Sequence, residues 1–192
     1  LFVCERDVIV GRYSASTSRF GVGIRENSLK TPPGFHRIKE KIGAGAPRGR
    51  IFRDRVDTGV DWDGESVEDN LVLTRILRLE GLEPGINLGP GVDSYGRFIY
   101  IHGTNRERSV GTPLSHGCLA LRNDDMIELF DMVREGTLVY IHPPCLTVLG
   151  TAFRNVHFVG IFGTGMSALA QYLRFRGLGV SGSYRLLASD DT

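Results

Sequence analysis

The sequence predicts a mainly β domain over residues 1–142, a linker over 143–154 and the truncated start of a βαβ unit over 155–192. Three observations lead there. Short β-prone runs separated by glycine- and proline-rich turns fill the first two thirds of the chain, and its 25 glycines fall mostly at those turns. The clearest helix signal of that region, with a cap, an apolar face and a stop, follows Cys118. Beyond Asn155 the pattern changes to strand, glycine turn and helix.

At 192 residues the chain has room for one full domain and a piece of another. Its 41% hydrophobic and 23% charged residues are ordinary for a globular protein with a packed core. A formal net charge of +1 gives no reason to expect a nucleic-acid partner or an anionic membrane surface. No apolar run approaches the ~18 residues of a transmembrane segment. The chain begins at Leu1 without a visible signal peptide and reads as a fragment.

In chain order, Asp7 to Tyr13 is β-prone and ends in the polar run Ser14 to Ser18. Thr31-Pro32-Pro33-Gly34 is a turn, and Phe35 to Ile42 a strand after it. His36, a lone histidine in that strand, is expected at the surface or on a pocket wall. Arg48, Arg50, Arg53 and Arg55 form a basic cluster ahead of an acidic stretch from Asp57 to Asp69. Asp61-Trp62-Asp63-Gly64 lacks the further ligands of a calcium loop, so a solvated loop is expected there, with Trp62 as the apolar contact if it covers a groove. Leu71 to Leu79 reads as a strand, Gly81 to Gly91 as a turn-rich crossover and Arg97 to His102 as a strand. Asn123 is the expected N-cap of the helix, with Asp124 and Asp125 at the positive end of its dipole. Met126, Ile127, Leu129, Phe130 and Val133 form its apolar face, and Gly136 ends it. Thr137 to Ile141 is a last strand, stopped by Pro143-Pro144.

The chemistry concentrates between Tyr100 and Asn123. A strand delivers His102, the glycine-rich interval allows the chain to double back, and Ser115-His116-Gly117-Cys118 brings a thiol toward the imidazole. An imidazole within hydrogen-bond reach is the usual activator of a thiol nucleophile. Cys118 is therefore the candidate nucleophile and His102 the candidate base, with His116 the alternative base or a residue shaping the pocket. Gly117 admits a close backbone approach, so N–H groups near Gly117 and Cys118 are candidates for an oxyanion hole. The backbone of Gly103 or Thr104 is the candidate for orienting His102. Cys4 and Cys145 read as two unpaired thiols flanking the region, with a pair in an oxidising compartment as the alternative.

His102-Gly103, the spacer, Ser115-His116-Gly117-Cys118, Leu119 and Asn123 together resemble the signature of the L,D-transpeptidase catalytic domain, a bacterial cell-wall family, and Thr31 to Gly34 matches a turn of the same family. Ala120 departs from the pattern, standing where the family usually carries Arg. The resemblance implies a β-sandwich-like domain with a short helix after the catalytic Cys and a thioester acyl-enzyme on Cys118. It also implies substrate contacts near Ser115, Thr104 and Asn123. Peptidoglycan stem peptides are the expected partners, β-lactams (carbapenems especially) the expected inhibitors, and the periplasm or cell envelope the expected location. No cofactor and no metal are expected.

The stretch from Val156 to Ser183 is similar to the opening of UDP-N-acetylmuramate–L-alanine ligase. By that resemblance Gly160, Gly163, Gly165, Met166 and Ser167 face a nucleotide, and the compartment would be the cytoplasm. Phe162 and Tyr184 depart from the pattern, at positions of Gly and Asp. About 40 residues are too few for a domain, and no Walker-type loop exists, so no ATP-dependent ligation is expected. Competing readings are a wall-binding module without turnover, an L,D-carboxypeptidase, a zinc site of His102, His116 and Cys118, and a buried structural thiol.

Overall fold

A computed structural model describes residues 1–5, 8–65 and 67–142, together with the backbone of two strands at 155–159 and 179–183. The chain divides into two compact units, one of Leu1 and residues 11–143, the other of residues 2–10 and 144–192. Strands β1 (Phe2–Glu5) and β2 (Val8–Arg12) pair as a two-stranded sheet.

The first unit is mainly β and is organised on a seven-stranded sheet. Its strands are β3 (Gly34–Ile42), β4 (Arg50–Arg53), β5 (Val56–Asp61), β6 (Val72–Gly81), β7 (Tyr100–Gly103), β8 (Leu119–Leu121) and β9 (Leu138–Ile141). Strand β6 is the spine: one edge carries β7, and the other is shared end to end by β3 and β4. With neighbours on both edges, β6 buries residues on both faces, so it lacks the alternation of a half-exposed strand. Leu73, Ile76, Leu77 and Leu79 are wholly inaccessible. In the second unit β10 (Asn155–Val159) and β11 (Gly179–Ser183) run parallel, with Val156 opposite Val180. That is the strand pairing a βαβ start requires; the expected intervening helix lies outside the described residues.

The helix α1 (Asn123–Met132) packs on β6 and β7 through Met126, Leu129 and Phe130. Its N-terminus differs from the expectation. Arg122 occupies the cap position without a side-chain cap bond, and the backbone N–H of Asn123 donates to Glu107 Oε1 at 2.7 Å. A carboxylate from the one-turn helix at Glu107–Ser109 thus takes the capping role, a favourable charge at that end of the dipole. The Asn123 side chain is then free to tie other segments together. At the far end Lys41 Nζ of β3 donates to the carbonyls of Phe130 and Val133, satisfying two of the helix's last acceptors.

One other expectation is overturned. His36 is fully buried rather than on a surface or pocket wall. Its Nδ1–H donates to Gly34 O (3.0 Å), and its Nε2 accepts from the Ser94 hydroxyl (2.9 Å), so both ring nitrogens are satisfied inside. The basic cluster and the first acidic residues form a β-hairpin, β4–β5, and the loop expected at 61–64 follows it, with only Asp61 inside β5. Arg50 lies between Asp57 (2.8 Å) and Asp61 (2.6 Å), so cross-strand ion pairs hold a strand whose side chains are otherwise exposed. Trp62 follows the hairpin, its ring N–H bonded to Glu65 O.

Candidate active site

Strands β7 and β8 run parallel with His102 opposite Ala120. Cys118 stands in the bend that leads into β8 and packs against Tyr100, two residues before His102 on β7. This brings the candidate nucleophile up to the strand that carries the candidate base. Among the described residues no hydrogen bond joins the His102 ring to Cys118, a difference from the expected direct pair. The thiol instead donates to Phe98 O and accepts from the Tyr100 N–H, both at 3.4 Å. Catalytic bonds that are absent or long without substrate commonly form in the complex.

The imidazole is oriented as a base. Nδ1 lies 2.7 Å from Gly103 O, and a carbonyl can only accept, so Nδ1 carries the hydrogen and the Nε2 lone pair is left bare. His102 is 2% exposed. Burial lowers its pKa below the ordinary histidine value, only partly countered by the Gly103 bond. Burial also pushes the Cys118 thiol up to about 11, against the lesser opposing pull of the Tyr100 N–H and the Arg97 charge. The resting site is therefore a neutral thiol beside a neutral imidazole, not a preformed ion pair.

Gly103 has a second duty besides its carbonyl. A Cβ there would lie 2.3 Å from Asn123 Oδ1 and 2.8 Å from Leu73 O. Gly103→Ala is expected to lose about 1–3 kcal/mol in urea melts, as overpacked sites do, and to displace the Asn123 amide. Gly117 has φ +132, a conformation that L side chains rarely adopt, and a Cβ there would meet Ile99 Cδ1 at 3.2 Å.

Residues 1–141 match the L,D-transpeptidase catalytic domain family. The chain belongs to that family. It is 44% identical over 73 residues to the putative L,D-transpeptidase YqjB of Bacillus subtilis (strain 168), covering 35% of this chain and 42% of that protein. It is 50% identical over 66 residues to the probable L,D-transpeptidase YbiS of Escherichia coli (strain K12), covering 32% and 22%. The chain thus spans less than half the length of these curated relatives. Among solved structures, L,D-transpeptidase 3 from Mycobacterium tuberculosis with a faropenem-derived adduct aligns at a TM-score of 0.41 and 18% identity, covering 73% of this chain and 49% of that one. Residues 155–185 match the Mur ligase family, catalytic domain. Of the candidate nucleotide contacts there, Gly160, Gly163, Gly165 and Ser167 lie outside the described residues, as does Cys145.

In this L,D-transpeptidase domain three expected substrate contacts turn inward. Ser115 is 1% exposed; its hydroxyl donates to Cys118 O (2.5 Å) and accepts from the Gly117 N–H (3.2 Å), bracing the nucleophile's turn. That bond also commits the Gly117 N–H, one of the two expected oxyanion donors. Thr104 is fully buried, with its hydroxyl on Asn70 Oδ1. Asn123, equally buried, accepts from Thr74 Oγ1 and donates to Thr104 O and Glu107. These groups hold the scaffold and have no face left for a ligand. Ala120, where the family usually carries Arg, is fully buried and bonds Ser16 through both backbone groups at 2.9 Å.

His116 is engaged by Arg19. Its Nε2 accepts from Arg19 Nη2 at 2.7 Å, and its ring lies 5.9 Å from that of Phe20. A cation there opposes metal binding, and no three His, Cys, Asp or Glu side chains are gathered as a metal-holding group among the described residues. His116 lines a cavity of about 210 Å³ with Glu26, Leu29, Arg97 and Phe98.

Sequence reasoning missed Arg97, Phe98, Tyr100 and the strap at 16–19. Arg97 donates to the carbonyls of Ile24 (2.9 Å) and Lys30 (2.5 Å), which holds its charge beside Cys118. The strap, a polar run that resembles a linker, bonds Leu114, Ser115 and Ala120 along the nucleophile's loop. Phe98, at φ +57, also lines a second cavity of about 220 Å³ with Phe52, Arg55 and Tyr100. Cys118 packs against that cavity's Phe52–Ile76–Tyr100 cluster.

Proposed function

We propose that this domain is an L,D-transpeptidase acting on peptidoglycan stem peptides through a Cys118 thioester, at the cell envelope. The observation that carries the reading is the parallel pairing of β7 with β8, which brings Cys118 up to the strand of His102, with the His102 tautomer set by Gly103 O so that Nε2 is bare.

The S–H swings from the Phe98 carbonyl toward His102 Nε2, which takes its proton as the sulfur attacks the carbonyl joining an L-centre to the terminal D-residue. The Cys118 N–H stabilises the oxyanion, because that of Gly117 is held by Ser115. Nε2–H then protonates the departing amine, leaving a thioester. An amine of a second stem gives its proton to Nε2, attacks the thioester carbonyl and forms the cross-link as the thiol reforms. Water in place of the amine gives a carboxypeptidase. A carbapenem acylates the same sulfur through its strained amide.

The test is intact-mass spectrometry of the whole chain after incubation with a tetrapeptide stem and, separately, a carbapenem. An adduct is expected on the wild type and none on Cys118→Ala. Wild-type protein that gains no mass from either reagent overturns the reading. Addition of an amine acceptor then separates cross-linking from hydrolysis by the product's mass.

A further inference from the structure

Arg55 occupies a backbone position that disfavours it. The β4–β5 hairpin closes in two residues, Asp54 at φ +48 and Arg55 at φ +71. In such a turn the second position strongly favours glycine, yet this chain places a long cationic side chain there. The side chain is also held in place. Nη1 donates to Tyr100 Oη at 3.1 Å, and the guanidinium lies 4.7 Å from the centre of the Phe98 ring. It lines the cavity of about 220 Å³ beside Cys118, where Phe52, Val72 and Ile76 are apolar walls and Asp54 is the acidic one. Tyr100 links the two, its hydroxyl on Arg55 and its backbone N–H on Cys118 Sγ.

Asp54 and Glu40 act on its charge only from beyond ion-pair distance. Arg37, Arg48, Arg50 and Arg78 each pair with a carboxylate, whereas Arg55 forms no ion pair among the described residues. Of its five N–H donors, one is engaged by Tyr100. Asp54 at the rim is exposed, so solvent screens it.

We propose that Arg55 binds the free carboxylate of the donor stem's terminal D-residue. This rests on the transpeptidase reading, in which that residue is the leaving group and its carboxylate lies two bonds from the scissile nitrogen. A planar guanidinium fork matches a carboxylate's two oxygens, and the apolar walls strengthen the pairing.

The test uses two synthetic tetrapeptides, one ending in a free acid and one in a carboxamide. Both yield the same acyl-enzyme, so they differ only in the departing group. Acylation rates of the full chain, followed by intact mass, are expected to favour the acid by about 10- to 100-fold in kcat/KM. Arg55→Gly should lose that preference, with the change carried by KM, while Arg55→Lys keeps part of it. Glycine suits the turn, so Arg55→Gly should also melt no lower in urea than wild type, which removes misfolding as a cause. An acid-to-amide ratio that survives in Arg55→Gly, or a wild type without preference, overturns the proposal. A wild type acylated by neither peptide overturns the transpeptidase reading first, and this proposal with it.

Discussion

His102→Ala is expected to slow thioester formation by about 10²- to 10⁴-fold, the range a positioned proton-transfer group contributes. The argument rests on the state of the resting site. With Cys118 held near 11, thiolate is scarce at neutral pH, so attack depends on removal of the proton during the reaction. The bare Nε2 of His102 is the candidate for that, while the His116 ring is engaged by Arg19. The pH profile should carry the signature. Because burial depresses the His102 pKa, wild-type acylation should persist below pH 6.5 and fall only as pH drops through that lowered value. In His102→Ala the reactive species is the thiolate alone, so its rate should climb about tenfold per pH unit toward the Cys118 pKa. A variant with wild-type rate and profile would sink the assignment, and a comparable loss in His116→Ala would move the role there.

Most strands and the helix were legible because each is a local signal, and the candidate nucleophile and base stood out for the same reason. The strand ending in His102, the glycine turn before Cys118 and the apolar face of α1 each fit within a dozen residues. What escaped was set by distant partners. Arg97 looks like any strand residue until three carbonyls from residues 23–30 converge on it. Asn123 has the composition of an N-cap, and only the arrival of Glu107 releases its side chain to hold Thr74 and Thr104. The 16–19 strap has a linker's composition, yet Ser16 and Ser18 are 1% exposed because their hydroxyls and backbone groups are satisfied by the nucleophile's loop and the chain around Leu29. The turn at Arg55 hid for the opposite reason: its residues contradict the usual chemistry of a two-residue hairpin, and so gave no hairpin signal.

Folding stability is expected to fall as the pH is lowered from about 6.5 to about 4, with His36 one of the buried histidines responsible. Burial is the main cause of its shift. It pushes the His36 pKa down from 6.5 to about 4, the Gly34 bond opposes this, and the Arg97 charge adds to it. Both of its nitrogens serve the neutral ring, one donating to Gly34 O and one accepting from Ser94. The sign follows from proton counts. Between the two pKa values the unfolded chain binds a proton at this ring and the folded chain does not, so acid favours unfolding. Above 6.5 neither state is protonated, and the full stability is present; below about 4 both are, and the loss levels off. A shift of that size corresponds to about 3 kcal/mol between the two plateaus, a large part of a domain's net stability. Urea melts between pH 7.5 and pH 3.5 test it on wild type and His36→Gln. The amide can replace the bonds to Gly34 and Ser94 in part but cannot titrate, so the variant should start less stable and show a flatter slope. Carboxylates and His102 contribute equally to both curves, and the difference between them isolates His36. Parallel curves would mean that the buried ring gains its proton without cost, and would remove His36 as the origin of the acid sensitivity.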